Sequence, residues 1–308
     1  MKHTFWLRYA ILICFCAFLG CRFREDNLPD YRPSGGKLAE MEENLNLQNI
    51  IKDIRRLSLE IGPRPAGSIK ANEAANWFKE RLQEVNCNPR SHIFKLPNGR
   101  DGQNILCLLE GQTQRVIVIA AHLDTVEESP GANDDASGLA VLIELARLVK
   151  QYSLKPENTI MLAGFGAEEE VEGFNGHNYS SLSYLKSLTA GERDKIAGCI
   201  YLDKIGVGRK LLIRNVIFTN SQMVKLCLKA AEEIRRRSGD FPFKDGWLLS
   251  RPMSFEKHNI PTAYIEWDPD SQMHKAGDLP DNLSGEKILT AARIMLEILS
   301  SSKTGAFL

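Results

Sequence analysis

Three apolar runs in this chain end abruptly on ionisable residues. "VIVIAAHLD" runs into His122 and Asp124, "TIMLAGFGAEEE" into Glu168, Glu169 and Glu170, and "GCIYLD" ends on Asp203. Together with "NILCLLEG" and "PTAYIEW", these runs read as buried strands separated by helical or polar segments. That alternation predicts an α/β fold, a mostly parallel mixed sheet flanked by helices. In such sheets ligands bind beyond the carboxyl ends of the strands, where loops and helix N-termini converge. The same pattern that sets the fold class therefore carries a histidine and several acids to one edge.

Apolar spacing places helices over about 45–60 and near 70–85, with "GPRPAGS" as a turn between them. A further helix carries Leu139, Leu142, Ile143, Ala146 and Val149, and segments 221–237 and 284–300 read as helical. The first of these three helices opens on "GANDDASG", where Asp134 and Asp135 stand side by side. One Asp is explained as a helix cap. A second adds like-charge repulsion that a cap does not need, and asks for a cation. Each ionisable residue has an ordinary reading: a structural histidine, a solvated Glu run, a turn-forming Asp. Four or more carboxylates at one edge are harder to account for without a neutralising ion, and imidazole with carboxylate suits zinc.

The 308 residues carry 39 basic and 39 acidic side chains, so no charge imbalance points to nucleic acid. The chain begins with Lys2 and Arg8 ahead of "YAILICFCAFLG", the charged and short apolar regions of a secretory signal over 1–21. "FLGC" approaches the pattern at which bacterial lipoproteins are cleaved and lipidated, here on Cys21. An uncleaved membrane anchor and plain secretion remain the alternatives, and all three export the domain to the cell envelope or beyond. Residues 22–40 read as a tether and 41–303 as a single domain. Cys87, Cys107, Cys199 and Cys227 lack zinc-knuckle spacing, and the sequence assigns no disulfide among them.

Taken together, the motifs resemble the co-catalytic dizinc aminopeptidases of clan MH, relatives of the glutamate carboxypeptidases, transferrin receptors and glutaminyl cyclases. The likeness spans roughly residues 45–300. "AAHLDTV" is similar to the family's H-x-D, which implies His122 as a ligand and Asp124 as the carboxylate that orients it. "GANDDASG" resembles its G-A-x-D, implying Asp134 as the bridge between two Zn²⁺ ions and a cis peptide after it. "FGAEE" implies Glu168 as general base and Glu169 as ligand. "YLDKIG" implies Asp203 as ligand, and "MHKAGDLPDNLS" implies His274 as the last. The resemblance thus puts one ion on His122, Asp134 and Asp203 and the other on Asp134, Glu169 and His274, about 3.5–4 Å apart. With the signal-like N-terminus it gives an exported aminopeptidase acting on peptides or dipeptides, with a single-zinc glutaminyl-peptide cyclotransferase as the alternative and a non-catalytic binding module as the third reading.

Several positions depart from the pattern. The extra "EVE" before Gly173 opens a register in which Glu169 and Glu170 take the two roles. Lys204 replaces the usual Met after the Asp ligand, and alternation along a strand predicts that its charge points away from the metals. In "SRPMSFEKHNIP", Arg251 stands where relatives keep an acid, which suggests a cation beside the substrate pocket that selects carboxylate-bearing substrates. His258, His177 and His92 match no ligand position.

Overall fold

A computed structural model describes residues 35–216, 219–239, 241–248 and 254–301, all of which fall in one unit, Tyr31–Leu308. Helices α1 (Gly35–Glu43), α2 (Leu47–Arg55, continued by a wider turn to Ile61) and α3 (Ile69–Glu84) come first. Strands β1 (Arg90–Lys95), β2 (Asp101–Leu109) and β3 (Thr113–His122) lead to helix α4 (Ser137–Gln151) and strand β4 (Asn158–Phe165). Helices α5 (Tyr179–Ser187) and α6 (Ala190–Asp194) precede β5 (Ile196–Leu202) and β6 (Lys210–Val216). Helix α7 (Gln222–Ser238), strands β7 (Phe243–Leu248) and β8 (Thr262–Asp268) and helix α8 (Gly285–Ser300) complete the described chain.

The helices begin where short polar side chains can accept orphaned amide hydrogens. Asn46 caps α2 through the amide of Asn49, and Ser68 caps α3 through that of Ala71, each at 3.0 Å. The eight strands form one sheet in the order β1-β2-β4-β3-β5-β8-β6-β7. Its centre, β4-β3-β5-β8, is parallel, while β1, β2 and β6 pair antiparallel with β2, β4 and β8 respectively. Period-2 alternation divides the side chains of β3 between two layers. Ile117, Ile119 and Ala121 join the larger core with α2, α3, α4, α7 and α8, whereas Val118 and Ala120 pack on the other face with Leu185 of α5 and Phe255.

The tether expected over 22–40 stops earlier than its expected end. Helix α1 starts at Gly35, and Leu38 and Met41 are wholly buried in the main core, so the folded domain begins before residue 41. Two buried apolar side chains one turn apart are enough to dock a helix that is otherwise polar. The signal, including Cys21, lies outside the described residues, and among those described no helix is long and apolar enough to cross a membrane.

For function, the parallel centre matters most. The carboxyl ends of β3, β4, β5 and β8 share one edge, and the chain leaves β3 toward β4 on one side but leaves β5 toward β6 on the other, so the connections after these neighbouring strands diverge and open a crevice there.

Candidate metal centre

His122 is the last residue of β3, Glu168 and Glu169 follow β4, Asp203 follows β5, and His274 lies on the loop after β8. The loop from β3 to α4 completes the set. Gly131 takes a left-handed φ of 66° there, and a Cβ would meet Thr125 Cγ2 and the Asp134 carbonyl, so glycine is required for the turn. The Asp134–Asp135 peptide is cis, as the resemblance implied.

That turn sends the two acids in different directions. Asp134 Oδ1 lies 2.9 Å from His122 Nε2, and its Oδ2 is 3.4 Å from His274 Nε2. Asp135 instead accepts the Gly138 amide at 3.0 Å, capping α4, and the His122 amide at 3.1 Å. Glu169 Oε1 approaches His274 Nε2 at 3.1 Å. Donor atoms of His122, Asp134 and Glu169 fall within 4.8 Å of one another, as do those of His122, Asp135 and Asp203. Glu170 is exposed and, of the described histidines, lies near His177 alone, so the structure brings Glu169 and not Glu170 to His122 and His274, and the shifted register has no geometric support.

The fit to a divalent ion can be judged on the donors themselves. Asp134 Oδ2 and Asp203 Oδ1 are buried and accept no well-aligned hydrogen bond, an arrangement that costs free energy unless a cation is present. Burial disfavours the charged form of both His122 and Asp134. Hydrogen bonds to Asp124 and Asp134 nevertheless hold the His122 imidazole well above its ordinary range, and His122 and His274 hold Asp134 well below its own. His274 is pushed up to about 10 by Asp134 and Glu169. Carboxylates that draw protons onto two histidines this strongly form a site demanding positive charge, and the imidazole and carboxylate donors suit zinc.

Glu168 is built differently. Its buried carboxylate accepts from Asn178 Nδ2, Ser180 Oγ and Ser181 Oγ at 2.8 Å, from the Ser181 amide at 2.9 Å and from Tyr201 OH at 3.2 Å. Burial raises its pKa, and those donors oppose the rise without cancelling it. Glu168 lines the same cavity of about 230 Å³ as His122, Asp134, Glu169, Asp203 and His274. Asp124 meets His122 mainly through its backbone: its carbonyl takes the Nδ1 contact at 2.9 Å, with its carboxylate 3.6 Å away. That carboxylate is engaged by the amides of Glu168 and Glu169 at 3.0–3.1 Å, which fixes the Glu pair against the histidine.

Lys204 overturns the expectation that its charge points away. Its φ is 53°, in the left-handed region, and its Nζ lies 2.5 Å from Asp203 Oδ2 inside the cavity. Strand alternation fails because β5 has already ended at Leu202. Arg251 lies outside the described residues. His177 stands at the cavity, 3.8 Å from Glu169 Oε2, whereas His258 bonds the Ser254 carbonyl away from it.

Other supports carry no short sequence signal. Arg64, from "GPRPAGS", is fully buried and donates to the carbonyls of Leu123, Pro130 and Gly131 at 2.7–3.1 Å, tying down both sides of the ligand loop. Burial lowers its pKa to about 10 against the pull of the nearby aspartates. Asp278 accepts the amides of Asn133 and Asp134 at 2.7 and 3.1 Å. The "AGDLPDNLS" stretch containing Asp278 was conspicuous in the sequence, but its bonds to main-chain amides were not.

This arrangement of strands recurs in known proteins. Residues 104–299 match peptidase family M28. The chain belongs to that family. Escherichia coli K12 protein YfbL is 25% identical over 89% of this chain and 94% of its own. BSAP, a zinc aminopeptidase from Bacillus subtilis, shares the fold with a TM-score of 0.74 at 15% identity over 85% of this chain and 96% of its own. A glutaminyl cyclase from an Acidobacteriales bacterium shares it with a TM-score of 0.70 at 21% identity, covering 83% of this chain and 94% of that one. The zinc-aminopeptidase-like fold is therefore common to a peptidase and a cyclase, and the site must discriminate between them.

Proposed function

We propose that this M28 chain is an exported metallo-aminopeptidase that removes N-terminal residues from peptides or dipeptides. The observation that carries the reading is the convergence of His122, Asp134, Glu169 and His274 at the carboxyl edge of the parallel strands, with buried carboxylate oxygens lacking hydrogen-bond partners. His122, Asp134 and Asp203 would hold one zinc ion and Asp134, Glu169 and His274 a second. Ions held there would lower the pKa of a water and polarise the scissile carbonyl.

The chain's own groups do the remaining work. Glu168 takes a proton from the attacking water and returns it to the leaving amine. Its raised pKa brings its proton affinity nearer to neutral pH, where a general base is most effective. The five donors around it hold the carboxylate in one orientation, and Asp124 fixes the backbone from which it projects. Carboxylates gathered around the cavity favour a substrate's free ammonium, and so cleavage one residue at a time. Export is supported by the signal-like N-terminus and by a disulfide between Cys87 and Cys107, a bond that persists in oxidising compartments. Lipidation at Cys21, giving attachment to the cell envelope, is part of the same proposal.

The fold shared with a glutaminyl cyclase keeps a single-zinc cyclotransferase as the competing reading. Aminoacyl-anilide hydrolysis and cyclisation of a Gln peptide, assayed side by side with and without chelator, separate the two. Chelator-sensitive hydrolysis without cyclisation is the expected result. Cyclisation without hydrolysis overturns the peptidase reading.

A further inference from the structure

Within the proposed metal centre, its two sides differ in one respect. On the side of Asp134, Glu169 and His274, the closest positive partner of Glu169 is an imidazole, a group that a metal ion replaces by taking the same nitrogen. On the side of Asp203, the partner is an ammonium that cannot become a ligand while protonated. Lys204 Nζ sits 2.5 Å from Asp203 Oδ2, with its side chain only 12% exposed. The backbone holds it there: the left-handed turn at Lys204 follows directly on β5, the Trp267 amide donates to the Lys204 carbonyl at 3.1 Å, and the Asp203 amide donates to Ile265 at 3.0 Å.

Displacing the ammonium leaves it poorly accommodated. The next carboxylate within reach is Glu266 Oε2 at 3.5 Å, and Glu266 is already paired with Arg214, which lies on β6 two residues along from Leu212, the position that faces it. With Asp203 given to a metal ion, two partly buried cations would share one carboxylate. Taking an ion pair apart in a buried setting is costly because neither charge regains full hydration. An ion entering on the Asp203 side bears that cost, whereas an ion on the Glu169 side displaces only the His274 proton, which leaves to water as the imidazole becomes a ligand.

We infer that Lys204 is a tethered competitor for the Asp203-side ion, so that the protein holds one metal tightly through Asp134, Glu169 and His274 and a second weakly and exchangeably. This rests on the proposed metal centre and assigns to its two halves unequal affinities. It also makes the Asp203 carboxylate a two-position switch between an internal ammonium and an external divalent ion, so that metal occupancy of that half follows the free zinc concentration.

The test is zinc binding, read without reference to turnover. Chelator-stripped protein is titrated with Zn²⁺ by calorimetry, and bound metal is counted after dialysis against graded chelator. Wild type should give two steps separated by about tenfold or more in Kd. Lys204→Met, which keeps chain length and removes the charge, should tighten the second step by about tenfold or more and leave the first unchanged. Lys204→Arg, which keeps the charge, should retain the weak second step. Circular dichroism and a thermal melt report whether each variant folds, and if Lys204→Met does not, the wild-type titration and Lys204→Arg still decide. Two equal steps in wild type, or a second step that is tight in Lys204→Arg, overturn the inference while leaving the metallopeptidase reading intact. Absence of any zinc binding overturns both.

Discussion

Asp134 and Asp135 show how neighbouring identical side chains acquire separate roles: one turns its oxygens to two histidines, the other to the amides of Gly138 and His122. Glu168 and Glu169 repeat the division, one caged by five donors and the other facing His274. Their Gln variants should therefore fail differently. Glu168→Gln should lose most turnover while zinc content, measured by elemental analysis, stays near wild type. It should also melt earlier, by about 1–3 kcal/mol of stability, because an amide nitrogen set among donors leaves buried groups unpaired. Glu169→Gln should lose zinc together with activity. Loss of zinc in Glu168→Gln with retention in Glu169→Gln would reverse the assignment. His122, Glu169 and Asp203 were legible as candidate site residues because each lies at or just past the end of a buried run, where function collects, whereas Asp134 and His274 lie on loops and were legible as ligands only through the motif resemblance. Lys204 was misread because alternation was extended two residues beyond the strand, and Arg64 and Asp278 stayed hidden because they act on main-chain groups that no side-chain pattern reports.

At the level of elements, the N-terminus of α4 seats against the end of β5, and a hydrogen is all that fits between them. A Cβ at Gly138 would stand 2.6 Å from Asp135 Oδ1 and 2.7 Å from the Leu202 carbonyl, and the latter is backbone that cannot swing aside. Gly138→Ala should push helix and strand apart, destabilise the protein by about 1–3 kcal/mol in denaturant melts, and weaken zinc binding, because Asp134 and Asp203 ride on the two displaced elements. A variant with wild-type zinc affinity would show that the loop absorbs the shift. The elements that the sequence revealed are the ones whose burial is nearly continuous, such as β3, β5 and α4. Those it concealed have thin signals. β7 alternates intermediate with exposed positions, β6 mixes Lys210 and Arg214 with its buried residues, and α1 commits only Leu38 and Met41 to the core. Propensity and pattern are weak where tertiary packing supplies most of the stability.

Across the whole molecule, the parallel centre of the sheet carries the candidate site residues, and its β1–β2 side is secured by covalent means. Cys107 on β2 is joined to Cys87, just beyond the end of α3, and both are buried in the main core. The sequence left this pairing open because four scattered cysteines allow several partners, and only the fold brings these two within a Cα–Cα distance of 6.3 Å. At a sequence separation of 20, closing the loop in the unfolded chain is worth about 3 kcal/mol on the chain-entropy account. Neither cysteine lines the cavity that holds the site residues. Replacing both with Ala should therefore lower stability by about 2–4 kcal/mol, read as a shifted denaturant midpoint, with kcat/KM on aminoacyl anilides unchanged. Free-thiol titration of the purified wild type settles whether the bond is present: two reactive thiols after unfolding, from Cys199 and Cys227, are expected of the domain lacking its signal. Four thiols, together with a double variant as stable as wild type, would remove the disulfide and with it the structural support for an oxidising compartment.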